Sequence, residues 1–412
     1  MKKLFYLMAL MYLLGIPRAS FAASTQVDAL IEKLVQKGIL TKSEALELKE
    51  EVATDEKMVR EEGLKQSLPS WVQGMKLKGD LRVRHEYSKR NDSTDLDRNR
   101  GRIRYRLGLD TKVNDKVQVG VGLASNGGNP RSPNQSFTDT FSKSSINLDY
   151  AYAQYTPNDY LSVTGGKMKI PFWEPADLLW DTDLTPEGGA VNLSWKLNDN
   201  IKLFSSASAF VLDEIATDQS DPFMYLIQSG FEWKKGDAID YKLAFTFNSF
   251  DNGKKQLLDN RSSPATNSTT GSQYDFIYNT MSLATELGFN QPLGWTMIPR
   301  VAAIGEFIHN PDPNENNNGW LAGGYLGDKK VVDAKQWKIT GTYRSLGKDA
   351  WLDVFPDSDF YGGATDVRGY ETIFEYGLGK NVSFSIDYYR SERIKAAKAP
   401  ETVLETDFNF KF

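Results

Sequence analysis

Apolar and polar residues alternate in segment after segment of the chain, from Met75 to Phe412. Successive side chains of a β-strand point to opposite faces, so this pattern predicts strands with one apolar and one polar face. The last segment is the clearest case, because its apolar face ends on an aromatic residue, and such a face suits acyl chains better than water. Its two faces are Leu404, Phe408, Phe410 and Phe412 on one side, and Glu405, Asp407, Asn409 and Lys411 on the other.

The breaks between these segments alternate in length, one short and one long. Short breaks such as "PND", "NDN" and "GKN" consist of residues that tight turns prefer. Long breaks include "SNGGNPRSPNQSFTDTFSK" and "GKDAWLDVFPDSDFYGGATD". Tight turns at one rim and long loops at the other are typical of an up-and-down barrel in a membrane. We therefore predict an all-β membrane protein, a sixteen-stranded antiparallel transmembrane β-barrel over residues 71–412, with both ends periplasmic.

The number of strands follows from the length of this region. At roughly 10 residues per spanning strand plus loops, the chain after the linker accommodates about sixteen strands. Each is expected to begin where an alternating segment begins. The expected starts are near Met75, Arg100, Lys116, Ser145, Tyr160, Gly188, Asn200, Pro222, Ala238, Tyr274, Trp295, Gly319, Ala334, Asp366, Asn381 and Glu401.

The first seventy residues differ from the rest of the chain. Residues 1–22 have the charged start, apolar core and small-residue end of a secretory signal peptide. Residues 23–70 carry apolar side chains at helical spacing, and Thr41 and Glu44 are spaced as a capping box. We expect a short helical periplasmic segment followed by a linker. This segment would either contact the cell wall or pack as an amphipathic appendage on a barrel rim.

Composition narrows the class of protein. The mean hydropathy is -0.47 and no stretch of about eighteen apolar residues follows the signal, which excludes a helical membrane protein. Aromatic residues make up 12% of the chain, as girdles at two membrane interfaces would require. The net charge of -5 gives no reason to expect a nucleic acid partner.

The sequence offers little for catalysis or for metal binding. Its two histidines, His85 and His309, fall on the outward faces of strands that are far apart in sequence. No G-x-S-x-G elbow occurs in a supporting context, and no His/Cys spacing suits a metal. The acidic stretches "DPNEN" and "DSDF" could bind calcium, although such loops are usually only solvated. We therefore expect no enzyme activity, no cofactor and no metal.

Basic residues alternate with apolar ones in the first two predicted strands, "MKLKGDLRVRHEY" and "RGRIRYRLGL". An arginine near the bilayer midplane costs about 2–4 kcal/mol on a lipid-facing surface, so these faces must point into the lumen. Such a wall can select ions. Alternatively, it pairs with the inward carboxylates Asp387, Glu405 and Asp407 and only rigidifies the barrel. The predicted basic wall consists of Lys76, Lys78, Arg82, Arg84, Arg100, Arg102, Arg104 and Arg106.

The third long break, "PFWEPADLLWDTDLTPEGG", is too apolar for a loop in solvent, since it contains Trp173, Leu178 and Trp180. We expect it to fold inward and to face the basic wall across a constriction. Alternatively, it packs as an extracellular loop on a neighbouring subunit. Its acidic residues are Glu174, Asp177, Asp181, Asp183 and Glu187.

Taken together, these motifs resemble a known family. "ALIEKLVQKGILTKSEALELKEE", "NRGRIRYRLGL", "GGKMKIPFWEP", "WDTDLTPEGGAV", "DSDFYGGATDVRGY" and "FNFKF" are similar to Gram-negative outer-membrane porins, specifically the putative-porin group related to phosphate-selective porins. The resemblance implies a sixteen-stranded barrel, usually trimeric, in which the third extracellular loop narrows the pore. By position it implies residues Pro171 to Glu187 as that loop and the six arginines as the basic wall. Phosphate-selective relatives add lysines from the loops, whereas the loop is acidic here.

The sequence therefore predicts an outer-membrane porin, a water-filled channel for passive diffusion of small hydrophilic solutes and ions. Alternatives are an anion- or phosphate-selective porin and an outer-membrane tether or adhesin. A plugged transporter would need a plug domain, and too few residues precede Met75 for one. Expected partners are outer-membrane lipid, lipopolysaccharide and further copies in a homotrimer. Outer faces for lipid or subunit contact would include Ile146, Leu148, Tyr150 and Tyr152.

Overall fold

The computed structural model describes residues 31–33, 35–37, 41, 43–46, 48 and 69–412, without residues 92–96, 217–220, 252–254, 295 and 398. The chain divides into two compact units, residues 1–73 and residues 74–412. The predicted signal peptide and most of the predicted helical segment therefore lie outside the described residues.

The predicted capping box is present in the first unit. The Glu44 N–H donates to Thr41 Oγ1 at 3.3 Å, and the Thr41 N–H donates to the Glu44 carboxylate at 2.8 Å. This bond from the Thr41 backbone lowers the pKa of Glu44. Ser70–Gln73 form one further helical turn. None of the helices in the described part of the chain is long and apolar enough to cross a membrane.

The second unit is a closed barrel, which confirms the predicted fold class. Sixteen strands of described residues, numbered here β1 to β16, each pair antiparallel with the next, and the last strand pairs with the first. They are β1 Lys76–Arg90, β2 Arg98–Lys112, β3 Val117–Ser125, β4 Ile146–Asn158, β5 Leu161–Lys167, β6 Glu187–Lys196, β7 Ile201–Val211, β8 Phe223–Lys235, β9 Ile239–Asp251, β10 Thr280–Asn290, β11 Arg300–His309, β12 Asn318–Gly327, β13 Trp337–Leu346, β14 Val367–Gly379, β15 Val382–Arg393 and β16 Glu401–Lys411.

Two predicted strand starts are wrong, and the others lie within three residues of the observed ones. The start near Tyr274 is instead at Thr280, and the start near Trp295 is instead at Arg300. Tyr274 lies in a short two-stranded ribbon and packs into an apolar core, so the connection before β10 is longer than its polarity suggested. The eleventh strand begins directly after Pro299, which lacks the N–H that a strand ladder needs.

Side chains alternate between the outer surface and the lumen along each strand, as the pattern predicted. In β16, Leu404 and Phe408 are exposed, whereas Glu405 and Asp407 are buried. Apolar side chains therefore cover the lipid-facing surface, and polar ones line the interior.

One predicted outer face is wrong in part. Ile146 and Leu148 are exposed on the outside, but Tyr150 is buried, and it lies on the inner side with Tyr152. The ladder between β3 and β4 shifts register at this point, because Asp149 is an extra residue in β4. Such a bulge reverses the parity of everything that follows it. Glycine is required opposite, because a Cβ at Gly108 or Gly122 would overlap the Tyr150 side chain.

The apolar core of the barrel is built mainly by its long connections. Leu178 and Trp180 of connection 168–186 pack against Trp351 and its neighbours in connection 347–366. The centroids of the two tryptophan rings lie 5.9 Å apart. Inward side chains of β7, β8 and β11 complete the same cluster, so the core occupies part of the lumen.

Candidate functional site

The predicted basic wall lies on the inner side of β1 and β2, which are neighbours in the barrel. Its guanidinium groups form two adjacent columns, because both strands place every second side chain inward. The facing residues are Asp80 with Arg106, Arg82 with Arg104, Arg84 with Arg102 and Glu86 with Arg100.

Two carboxylates within the wall bridge the arginines. Asp80 and Glu86 were not among the predicted site residues, although they share the inward parity of Arg82 and Arg84. Each accepts from two guanidinium groups, so the wall is partly neutralised from within. Glu86 pairs with Arg100 and, at 2.8 Å, with Arg102. Asp80 pairs with Arg104 at 2.9 Å and with Arg106 at 2.7 Å.

The middle of the wall is tied to the carboxylates across the barrel closure. Arg84 is buried and bonds to Asp407 at 2.8 Å, to Asp359 at 3.0 Å and to Glu405. Arg82 donates to Asn134 at 2.6 Å. The pairing that the sequence offered as an alternative is therefore present at Arg84.

The two lysines of the predicted wall lie nearer the short-turn rim. Lys78 pairs with Asp110, whereas Lys76 is exposed at the start of β1. The eight predicted basic residues thus fall into a buried or partly buried arginine part and a more exposed lysine part.

Connection 168–186, the predicted constriction loop, bonds to inward side chains of strands that do not flank it. The backbone of Trp173 exchanges two hydrogen bonds with the Gln228 amide of β8, at 2.8 and 2.9 Å. The Ala176 N–H donates to Glu306 of β11 at 3.0 Å. The loop also reaches Arg344 of β13 through Asp177, and β13 lies opposite β5 in the barrel, so the loop runs across the lumen.

The acidic residues of this loop have different partners. Of the five, only Asp183 forms an ion pair with the basic wall in the described part of the chain. Asp177 turns to β13, and Glu187 is the first residue of β6 and stays near its own loop. The contacts are Asp177 with Arg344 at 2.7 Å, Asp183 with Arg106 at 2.9 Å and Glu187 with Lys167 at 2.7 Å.

The remaining two carboxyl groups are held in a poorly solvated setting. Asp181 accepts from the N–H groups of Asp183 and Ser358, both at 2.9 Å. Burial, together with the nearby Asp183 carboxylate, raises the pKa of Asp181 to about 8. Burial and the carboxyl group of Glu306 likewise raise the pKa of Glu174. The loop therefore carries less negative charge at neutral pH than its composition suggests.

A second inward assembly was not predicted. Asp353 of connection 347–366 is fully buried and pairs with Arg261 at 3.1 Å. Arg131 donates to the backbone carbonyls of Asp353 and Gly363, both at 3.3 Å, and of Asn260 at 3.1 Å. These contacts hold three long connections together beside the constriction loop. The only sequence signal was the apolar content of "KDAWLDVF", which matches that of the constriction loop.

Neither a metal centre nor a histidine cluster is present in the described residues. No group of three or more His, Asp or Glu side chains there is arranged to hold a metal ion. His85 is exposed on β1, and His309 bonds to Asn318 at 2.8 Å.

A closed sixteen-stranded barrel with a polar lumen and an inward loop defines a channel of the outer-membrane porin type. The chain belongs to the family described as "Putative porin", whose model matches residues 87–283 and 273–412. This family and fold consist of channels rather than enzymes, and they place the protein in the Gram-negative outer membrane. The predicted recognition and localisation are thereby confirmed.

The chain is similar to solved structures at low sequence identity. OprB of Pseudomonas putida, in a high-pH structure, has a TM-score of 0.55 at 10% identity, covering 82% of this chain and 94% of that one. The outer-membrane channel DcaP of Acinetobacter baumannii has a TM-score of 0.48 at 13% identity, with 82% and 97% covered. A search of curated proteins gave no match.

Proposed function

We propose that this porin lets small hydrophilic solutes and ions diffuse passively through a water-filled lumen. The observation that carries the proposal is the course of connection 168–186 across the lumen, which ends at the contact between Asp183 and Arg106. A loop fixed across a barrel narrows the passage while the surrounding wall stays sealed. Such a passage sorts solutes by size and by charge without an energy source.

Paired charges of both signs line the proposed passage. The arginines of the basic wall supply one sign, and Asp80, Asp183 and Asp359 supply the other. A field between fixed opposite charges orients dipolar solutes and disfavours apolar ones. Because the Debye length is about 10 Å at 0.1 M salt, we expect this selectivity to weaken as salt rises.

Strong anion or phosphate selectivity is the second candidate, and the pairing argues against it. A ladder of free guanidinium groups would concentrate anions, but each of the six arginines is paired with a carboxylate here. We therefore propose at most weak charge selectivity at the constriction.

We further propose that the protein forms a homotrimer through the wall around β5. This strand, Leu161–Lys167, has seven residues, fewer than the roughly 9–11 that a spanning strand needs. A low wall is poorly matched to lipid and fits contact with another copy better. The exposed outward residues Val163 and Gly165 offer a flat surface for it. The rest of the outer surface would contact lipid and lipopolysaccharide.

Single-channel recording in a planar bilayer tests the proposed function. The full-length protein, purified in detergent, should give stable conductance steps that grow with salt concentration and need no energy source. Reversal potentials in a salt gradient should be small. A preparation that migrates as a folded, heat-modifiable barrel and yet gives no conductance would contradict the proposal.

A further inference from the structure

A recess lies in the lumen wall on the short-turn side of the constriction loop. Two cavities of about 400 and 350 Å³ meet there and share Lys78, Tyr150 and Lys169 as lining residues. Sites for small ligands typically begin near 300 Å³. The neutral side chains of Gln154, Thr164, Ser162 and Asn192 line the second cavity.

Each lysine of the recess pairs with a carboxylate, but the two members of a pair are not equally exposed. Lys78 is 57% exposed and its partner Asp110 is 14% exposed. Lys169 is 47% exposed and its partner Asp149 is 13% exposed, at a distance of 2.9 Å. The carboxylates therefore lie close to the barrel wall, and the ammonium groups face the lumen. A passing solute meets hydrogen-bond donors and positive charge.

Tyr150 lies between these two ammonium groups. Lys78 Nζ is 5.8 Å and Lys169 Nζ is 5.3 Å from the centroid of its ring. The Tyr150 hydroxyl is buried and has no hydrogen-bond partner among the described residues. A buried hydroxyl without a partner is costly, so a ligand oxygen that reaches it and accepts a hydrogen bond from it would be favoured.

We propose that this recess is a binding site for small organic anions that carry carboxylate groups. Two exposed ammonium groups around one ring suit a dianion with two carboxylates, and the Tyr150 hydroxyl is a third donor. The neutral side chains of the second cavity leave room for a carbon chain or for hydroxyl groups, which inorganic phosphate would not use. The inference rests on the proposed function only for the route by which the anion arrives.

Isothermal titration of the detergent-solubilised full chain tests this site without requiring conductance. Succinate is the probe, erythritol is a neutral probe of the same carbon number, and inorganic phosphate is the alternative anion. Two double variants, Lys78→Gln/Asp110→Asn and Lys169→Gln/Asp149→Asn, remove an ion pair each and leave the net charge unchanged. Lys242→Gln/Glu232→Gln is the matched control, because that lumenal pair at 2.9 Å has members exposed equally, at 25% and 27%. Tyr150→Phe removes only the hydroxyl.

Succinate should bind the unmodified protein more tightly than phosphate, and erythritol should give no saturable heat. Each recess variant should weaken succinate binding about tenfold, as expected for lost hydrogen bonds to a charged group, and the control should not. Tyr150→Phe should weaken it by a smaller factor. Equal affinities in recess and control variants, or tighter binding of phosphate than of succinate, would overturn the site. Conductance without succinate binding overturns the recess alone, and succinate binding without conductance overturns the porin function alone.

Discussion

Arg84 of the first strand binds Asp407 of the last strand through two parallel hydrogen bonds. Arg84 Nε donates to Asp407 Oδ1 and Arg84 Nη2 donates to Asp407 Oδ2, both at 2.8 Å. This fork is the strongest geometry for an arginine–carboxylate pair. The two residues face each other in the register that closes the barrel. One residue of the predicted basic wall therefore takes part in closing the barrel.

The Arg84→Ala variant should lose barrel stability. It leaves the buried carboxylates of Asp407 and Glu405 without their main cation, and breaking a buried pair typically costs about 3–5 kcal/mol. Heat-modifiable migration on gels should therefore disappear at a lower temperature than in the unmodified protein. Arg98→Ala is the matched control, because Arg98 is exposed at the start of β2. An unchanged transition in Arg84→Ala would show that the closure does not depend on this pair.

The Arg102→Ser/Arg104→Ser variant should shift the reversal potential towards cations and enlarge the conductance. It removes two positive charges, and Glu86 and Asp80 then keep one arginine partner each. Planar-bilayer recording in a salt gradient measures both effects.

Arg368→Ser is a suitable control for this variant, because Arg368 pairs with Glu392 on the outer surface. If the double variant leaves the reversal potential unchanged, the arginines only support the wall and the selective region lies elsewhere.

The barrel was predictable from sequence because its side-chain period is fixed by the backbone and lipid demands an apolar face. The same parity placed Arg84 and Arg102 inside the lumen. Parity could not reveal the bulge at Asp149, since one extra residue leaves no mark on composition, and Tyr150 was therefore assigned to the wrong face.

Contacts between side chains across the lumen could not be predicted from the sequence, for a different reason. Asp353 and Arg131 meet only after two long connections have folded inward, and no local pattern encodes that meeting. The pairing of Asp177 with Arg344 of β13 likewise depends on where the constriction loop bonds to the barrel wall.

The Trp351→Ala variant should loosen the inward connections and raise the single-channel conductance. Trp351 is fully buried, its Nε1 donates to the Leu179 carbonyl at 2.7 Å, and its ring packs on Phe355. Removing a buried tryptophan typically costs about 3–5 kcal/mol. The barrel wall does not contain this residue, so heat-modifiable migration should persist.

Trp320→Ala is the matched control for that variant, because Trp320 is exposed on the outer face of β12. Equal conductance in Trp351→Ala and in the unmodified protein would show that the connections stay in place without this side chain.

The proposed trimer makes a prediction at Gly165. The residue is exposed on β5, and nothing lies within 4 Å of a Cβ built on it, so Gly165→Trp should fold as a barrel but disrupt subunit contact. Gly341→Trp is the control, because Gly341 has the same free space on the outer face of β13. Native mass spectrometry in gentle detergent should show a trimer for the control and smaller species for Gly165→Trp. A monomeric unmodified protein would contradict the trimer.

Charge selectivity should also depend on pH through Asp181. Its pKa is raised to about 8 chiefly by burial, so the carboxyl group is mostly neutral at pH 7 and gains a negative charge as the pH rises through 8. The reversal potential should therefore move towards cations between pH 7 and pH 9. Asp181→Asn should reduce this shift and change little at pH 7. Asp183→Asn should instead shift the potential towards anions already at pH 7, because Asp183 is paired with Arg106 in the passage.

Burial also raises the pKa of Asp357, but that group is present in both variants and its effect cancels in the comparison. A pH shift of equal size in Asp181→Asn and in the unmodified protein would assign the titration to another group.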